Sequence, residues 1–139
     1  MVLKDLFHGA YAGTRVLVTG HTGFKGSWLC LWLQALGAEV SALALPPPGE
    51  TAHWPLLRLE GVHERLVDLR DAAGVRVTLK ELQPQIVFHL AAQSLVRRSY
   101  HEPSQTFAIN VTGLVNLLEA VRECTSVCAL VNATTDKVY

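Results

Sequence analysis

Arg15-Val-Leu-Val-Thr-Gly-His-Thr-Gly-Phe-Lys-Gly26 is the stretch on which the fold turns. Its first five residues are a short, mainly apolar run rich in β-branched side chains, the composition of a strand buried on both faces of a parallel sheet. Gly20 ends that run. From Phe24 to Leu36 the pattern turns helical, with Phe24, Trp28, Trp32 and Leu36 at i, i+4 spacing and Gly37 as a stop. A strand that passes through glycines into a helix points the helix's unpaired N–H groups and positive dipole end at whatever occupies the turn. Gly20, Gly23 and Gly26 would allow a tight turn, close approach of backbone to a pyrophosphate, and close helix–strand packing. Placement at a strand-to-helix junction favours that reading over glycines kept for packing alone. The phosphate loop of nucleoside triphosphatases is excluded, because it needs Gly-Lys-Ser/Thr and the order here is Lys25-Gly26-Ser27. The G-x-G-x-x-G pattern would need a glycine where His21 stands.

Outward from this corner, strands and helices alternate. Leu29, Leu31 and Leu33 make the first helix apolar nearly all round, so it should be buried on more than one side. Glu39 to Leu45 reads as a second strand, and Pro46-Pro-Pro-Gly49 forces a loop because proline supplies no ladder donor. A third, weaker strand is Glu64 to Val67. Asp71 can cap a helix whose apolar face is Val75, Leu79 and Leu82, with Pro84 after its end. Ile86 to Leu90 is a fourth strand. Pro103 suits the first turn of a long helix carrying Phe107, Val111, Leu114, Leu118 and Val121 on one stripe. Val127 to Val131 is a fifth strand. Such alternation implies right-handed crossovers and an α/β, doubly wound parallel sheet, ordered 3-2-1-4-5 as in the Rossmann fold.

Composition narrows the function. The chain has 139 residues, 50% of them hydrophobic and 17% charged, against a usual charged share of about 25%. Twelve Lys+Arg balance twelve Asp+Glu, so there is no basic excess for neutralising nucleic-acid phosphates. Disorder is disfavoured by the same figures. Cys30, Cys124 and Cys128 are an odd set without a partner pair or a nearby His at ligand spacing, so neither a disulfide framework nor a zinc site is expected, and all three read as buried reduced thiols. Met1 to Gly13 carries Lys4, Asp5 and His8 and is no signal peptide. The apolar stretch Trp28 to Leu45 is broken by Gln34, Gly37 and Glu39, a buried helix and strand and not a membrane span. A cytoplasmic protein is expected.

The spacing G-x-x-G-x-x-G with Thr19 ahead of it resembles the extended short-chain dehydrogenase/reductase family. Further matches follow in order: Asp68-Leu-Arg-Asp71 after the third strand, His89-Leu-Ala-Ala-Gln-Ser94 after the fourth, Asn110 inside the long helix, and Ala133-Thr-Thr-Asp-Lys-Val-Tyr139 after the fifth. The resemblance spans Arg15 to Tyr139. It implies NAD as cofactor. Gly20, Thr22, Gly23, Phe24, Lys25 and Gly26 would hold the pyrophosphate, and Asp68 and Leu69 would sit at the adenine. Leu90, Ala91 and Ala92 would line the path to the nicotinamide ribose. An acidic residue usually closes the second strand to bind the adenosine ribose; here that strand ends Ala42-Leu-Ala-Leu-Pro46, and the NAD preference comes from the resemblance alone.

Within the family, Gly20-His-Thr-Gly-Phe-Lys-Gly-Ser-Trp28 and Thr135-Asp-Lys137 look most like the nucleotide-sugar 4,6-dehydratases, with CDP-glucose the implied substrate. That likeness makes Thr135 a hydrogen-bond partner of the sugar hydroxyl being oxidised, Asp136 a general acid and Lys137 a general base. Hydride would leave C4, water would be lost across C5 and C6, and hydride would return to C6. Lys137 as base requires a neutral amine and hence a depressed pKa. Ser94 should lie near the substrate. Arg97 and Arg98 could meet the nucleotide diphosphate, although a solvated helix face suits them better. His21 reads as a loop-stabilising hydrogen bonder, His89 as a satisfied core histidine, and Trp28 and Trp32 as packing.

A 4-epimerase shares fold and cofactor but lacks the Asp-Lys pair, and a non-catalytic NAD(H)-binding module is the reading from another class. The family's Tyr-x-x-x-Lys motif does not occur: Tyr100 is followed four residues later by Ser104, and Tyr139 is last. The expectation is therefore an incomplete NAD-binding domain over 1–139, with the substrate domain outside it, association into a homo-oligomer, and no turnover by this chain alone.

Overall fold

The structure, a computed structural model, describes residues 3–135. Five strands, β1 (Arg15–Thr19), β2 (Glu39–Ala44), β3 (His63–Leu66), β4 (Ile86–His89) and β5 (Ala129–Asn132), form one sheet in the order β3-β2-β1-β4-β5. Every neighbouring pair is parallel, with Val16 opposite both Val40 and Ile86. This is the expected Rossmann-type order. β1 lies in the centre, and its Val16, Leu17 and Val18 are completely buried. Burial of each such side chain contributes about 2 kcal/mol.

Side-chain alternation along β1 divides the core into two layers. Leu17 joins Leu43 and Val87 beneath helices α3 (Ala72–Leu82) and α6 (Gly113–Glu123), which supply Val75, Leu79, Leu117 and Ala120. Val16 and Val18 face Cys30 and Leu33 of helix α1 (Phe24–Ala35). Short helices α2 (His53–Leu57) and α4 (Val96–His101) complete the connections, and α5 (Pro103–Phe107) runs through a π-helical turn, Ala108–Thr112, into α6. Asp71 caps α3 as its sequence position predicts, accepting from the Gly74 N–H at 3.0 Å.

Two helix faces differ from expectation. Helix α1 buries one side only, through Gly26, Ser27, Cys30 and Leu33. Phe24, Trp28 and Trp32 stand 70%, 48% and 48% exposed, so Trp28 and Trp32, expected as packing, lie outside the core. A helix apolar all round carries no periodic signal to choose a face; the small residues let it lie close to the sheet and thereby decide. Along the long helix, Phe107, Val111 and Leu118 are exposed, while Gly113, Leu117 and Ala120 are buried. The π-turn inserts one residue into the helical repeat and rotates the face after it by roughly 100°. The buried row Gly113, Leu117 and Ala120 therefore sits one position before the expected Leu114, Leu118 and Val121, of which Val121 still packs against the core.

Smaller differences are at strand ends. β3 is shifted one residue earlier than expected and is an exposed edge, Leu45 and Leu90 fall just outside their strands, and β5 starts at Ala129. All three cysteines are free, but Cys128 is exposed, not buried. Burial pushes the Cys30 thiol up to about 12, so it stays protonated.

Candidate functional site

The chain winds from β1 outward to β3 and then returns to β4, so the β1/β4 boundary is the point at which strand order reverses. Ligands of open α/β sheets bind beyond the carboxyl ends of the strands at such a point. Three segments meet there. Gly20 follows β1, Leu90 to Ala92 follow β4, and Ala133 to Thr135 follow β5. The Leu90 N–H donates to the Thr19 carbonyl at 3.2 Å and the Ala133 N–H to the His89 carbonyl at 3.0 Å, which keeps the three in line.

Glycine sterics build the first segment. Gly20 has φ +80°, and a Cβ on it would lie 2.7 Å from the Ala91 nitrogen. A side chain there would separate the glycine loop from the β4 end. A Cβ on Gly26 would run into the Gly20 carbonyl. Gly23 caps α1 without a side-chain hydrogen bond, and the first turn of α1 has no acidic residue. The loop is closed by Gly23 N–H to the Gly20 carbonyl, 3.1 Å, and by the Thr22 hydroxyl to the Leu45 carbonyl, 3.0 Å. Phe24 and Lys25 are exposed at the mouth. An uncapped helix end with unpaired N–H groups and no competing carboxylate is a fit for an anionic pyrophosphate.

Two histidines support this corner. His89 Nδ1 lies 2.7 Å from the Thr19 hydroxyl, which also accepts from the Ala91 N–H at 3.2 Å. Burial holds His89 below the ordinary histidine range, in keeping with a satisfied core histidine. His21 is fully buried, its Nε2 2.7 Å from Glu64 Oε1 and its ring edge-on to Trp54. The Trp54 indole N–H donates to the same carboxylate oxygen at 3.0 Å. His21 thus ties the glycine loop to the edge strand, as a loop-stabilising residue. Outside the loop, His53 Nδ1 lies 2.6 Å from the Ser27 hydroxyl and its ring stacks on Trp28.

The second flank is the turn after β3. Asp68 is half-buried and accepts from the Arg70 N–H at 2.9 Å and from its guanidinium at 2.6 to 3.0 Å. Those side-chain bonds hold the Asp68 carboxyl below its usual range. Leu69 is buried beside it. On the third flank, Asn110 in the π-turn accepts from the Gln93 N–H at 2.8 Å and donates to the Gln93 carbonyl at 3.0 Å. Ser94 is exposed on the same segment, as are Arg97, Arg98 and Ala92, and Arg98 pairs with Glu102 on the surface of α4.

The structure therefore gathers Gly20 to Gly26, Leu90 to Ala92 and Thr135 at one end of the sheet, with Asp68 and Leu69 on the flank beyond β3. Asp136 and Lys137 lie outside the described residues. Residue-by-residue reading missed the side chains that hold the flanks: Arg70, Gln93, Gln105 and Asn116. The available signal was the occurrence of Asn110 and Asn116 within a helix, where Asn is unfavourable unless its amide is used. Among the described residues, no group of three or more His, Cys, Asp or Glu could hold a metal ion, and no helix is long and apolar enough to cross a membrane.

Comparison with known proteins shows the chain's relatives. The family model described as GDP-mannose 4,6 dehydratase matches residues 17–139. CDP-glucose 4,6-dehydratase of Salmonella typhimurium is 48% identical over 130 residues, covering 93% of this chain and 36% of that protein. CDP-paratose 2-epimerase of Salmonella typhi is 35% identical, over 90% of this chain and 38% of its own length. Among solved structures, a Thermus thermophilus UDP-glucose 4-epimerase in complex with NAD superposes with a TM-score of 0.73 at 40% identity, covering 81% of this chain and 35% of that one. The epimerase Mth375 of Methanothermobacter thermautotrophicus gives 0.81 at 28% identity, with 98% and 39% covered. The chain thus spans little more than a third of the length of these relatives. On fold and sequence together, the chain belongs to the GDP-mannose 4,6-dehydratase family.

Proposed function

We propose that this chain is the NAD-binding portion of a cytoplasmic nucleotide-sugar 4,6-dehydratase, acting on CDP-glucose and working as a homo-oligomer. The observation that carries the reading is the uncapped, carboxylate-free start of α1 at the β1/β4 boundary, with the Asp68 turn on one side and the Leu90 to Ala92 segment on the other. The 48% identity to a CDP-glucose 4,6-dehydratase supports the choice of reaction.

In this reading the N–H groups at the start of α1 bind the pyrophosphate, with Gly20, Thr22, Gly23, Phe24, Lys25 and Gly26 forming the loop around it. Asp68 accepts from the amino group of the adenine and Leu69 packs against the base. Leu90, Ala91 and Ala92 leave room for the ribose beyond. When bound, NAD supplies a hydride acceptor that later returns the hydride. Thr135 holds the sugar's C4 hydroxyl, Ser94 contacts the sugar, Lys137 takes the C5 proton, and Asp136 protonates the departing C6 hydroxyl. The roles of Thr135, Asp136 and Lys137 come from the likeness of Thr135-Asp-Lys137 to the nucleotide-sugar 4,6-dehydratases.

Two measurements test it. Calorimetric titration of the chain with NAD should show saturable binding, and its complete absence would remove the dinucleotide assignment. The longest natural version of the protein, incubated with CDP-glucose, should give a 4-keto-6-deoxy sugar with its characteristic absorbance in alkali. A 4-epimerase is the second reading, favoured by the 40% identity to a UDP-glucose 4-epimerase. Interconversion of C4 epimers without loss of water would establish it and discard the roles given to Asp136 and Lys137.

A further inference from the structure

The turn Asp68–Asp71 is held by its own hydrogen bonds and, from outside, by side chains of the long helix. The Leu69–Arg70 peptide is gripped at both ends: its carbonyl accepts from Asn116 Nδ2 at 2.8 Å, and its N–H donates to Asp68 Oδ1 at 2.9 Å. The same Asn116 amide reaches the Arg70 carbonyl at 3.3 Å. Leu69 is 5% exposed and lies against Gly113, where a Cβ would come within 2.9 Å of the leucine's own Cβ. Arg70 spans the gap between Asp68 and the Gln105 amide oxygen, 2.5 Å from its guanidinium. Gln105, Gly113 and Asn116 all belong to the long helix α5–α6.

The geometry points to Asn116 as a positioning residue for recognition of a purine base bearing an amino group. It acts through one peptide plane: by holding the Leu69 carbonyl it turns the Arg70 N–H toward Asp68, and so fixes where that carboxylate can accept. This role rests on the cofactor reading above, in which Asp68 meets the adenine amino group. Loss of the Asn116 amide frees the peptide to rotate and leaves the Asp68 carboxylate aimed by Arg70 alone. The same helix grips the opposite flank through Asn110 and Gln93, so one element holds both ends of the cleft.

The test compares NAD with its hypoxanthine analogue, deamino-NAD, in which a carbonyl oxygen replaces the amino group that Asp68 would accept from. The chain should bind NAD more tightly than deamino-NAD. Asn116→Leu should weaken NAD by about tenfold, the scale of one or two lost hydrogen bonds, and leave deamino-NAD nearly unchanged, so that the selectivity collapses. Asn116→Ser, with a shorter side chain and less apolar bulk, should show the same loss of selectivity if the leucine variant fails to fold. A parallel weakening of both ligands, or no change in either, would overturn the positioning role. A wild-type chain that binds both equally removes Asp68 from base recognition and the proposal with it, while leaving the cofactor assignment standing. A chain that binds neither removes both.

Discussion

The glycine loop and the two flanks of the cleft are held by different physics. The glycine loop is backbone against backbone: Gly20 approaches Ala91 and Gly26 approaches Gly20 with no room for a Cβ. The flanks are held by side-chain amides, with Asn110 on Gln93, Asn116 on Leu69 and Gln105 on Arg70. A steric limit is absolute and local, so it is written into the sequence as a glycine. A hydrogen-bonded brace depends on two segments brought together by the fold, and an isolated Asn does not announce its partner.

That contrast can be broken by substitution. The largest effect is expected at Gly26→Ala, where the added methyl meets the Gly20 carbonyl: a loss of about 3 kcal/mol in denaturant titration. Gly23→Ala is its control, since a Cβ there meets only the Gly20 oxygen at 3.3 Å. If the two cost the same, the backbone account of the glycine loop is wrong. Next is Asn110→Leu, which strands the Gln93 N–H and carbonyl and should cost about 2 kcal/mol. Equal stability of that variant would mean that water replaces the amide, and that the Gln93 flank is not braced as described. Asp71→Ala, a cap legible from sequence, should cost about 1 kcal/mol, measured by the thermal midpoint.

The finest test is pH. His89 is held below its ordinary value of 6.5 by burial. A depressed pKa means that the unfolded chain takes up the proton first, so this contribution to stability is present above 6.5 and is lost as pH falls below it. The thermal midpoint should therefore fall between pH 7 and pH 5, and His89→Gln should flatten that part of the profile. Asp68, depressed by Arg70, works in the same sense at lower pH: its contribution is present above the ordinary value of 3.8 and is lost as pH falls below that. Arg70→Gln should shrink this second slope. An unchanged slope in either variant would assign the pH response to other groups.

The sheet and its order were legible because strand, glycine loop and helix alternate in period, and β1 was read to the residue. The α1 burial face was not legible, since Phe24, Trp28 and Trp32 are as apolar as Cys30 and Leu33 and only contact with the sheet chooses between them. The stripe on the long helix was legible only in part, for a different reason: the π-turn at Ala108–Thr112 breaks the repeat, and of the expected residues Val121 reaches the core. Around the candidate site, the glycine turn from β1 into α1 was legible in its position, whereas the supports of Asp68 and Gln93 were not.

By itself, then, the sequence determined the strand order, the glycine turn at Gly20 to Gly26 and the family resemblance, because these rest on local sterics and on the chain's own periodicity. The tertiary structure decided which helix faces are core, that His21 answers to Glu64, and that one long helix braces both flanks of the cleft. Those outcomes join residues 17 to 47 positions apart, and such contacts follow only once the crossovers have closed over the sheet.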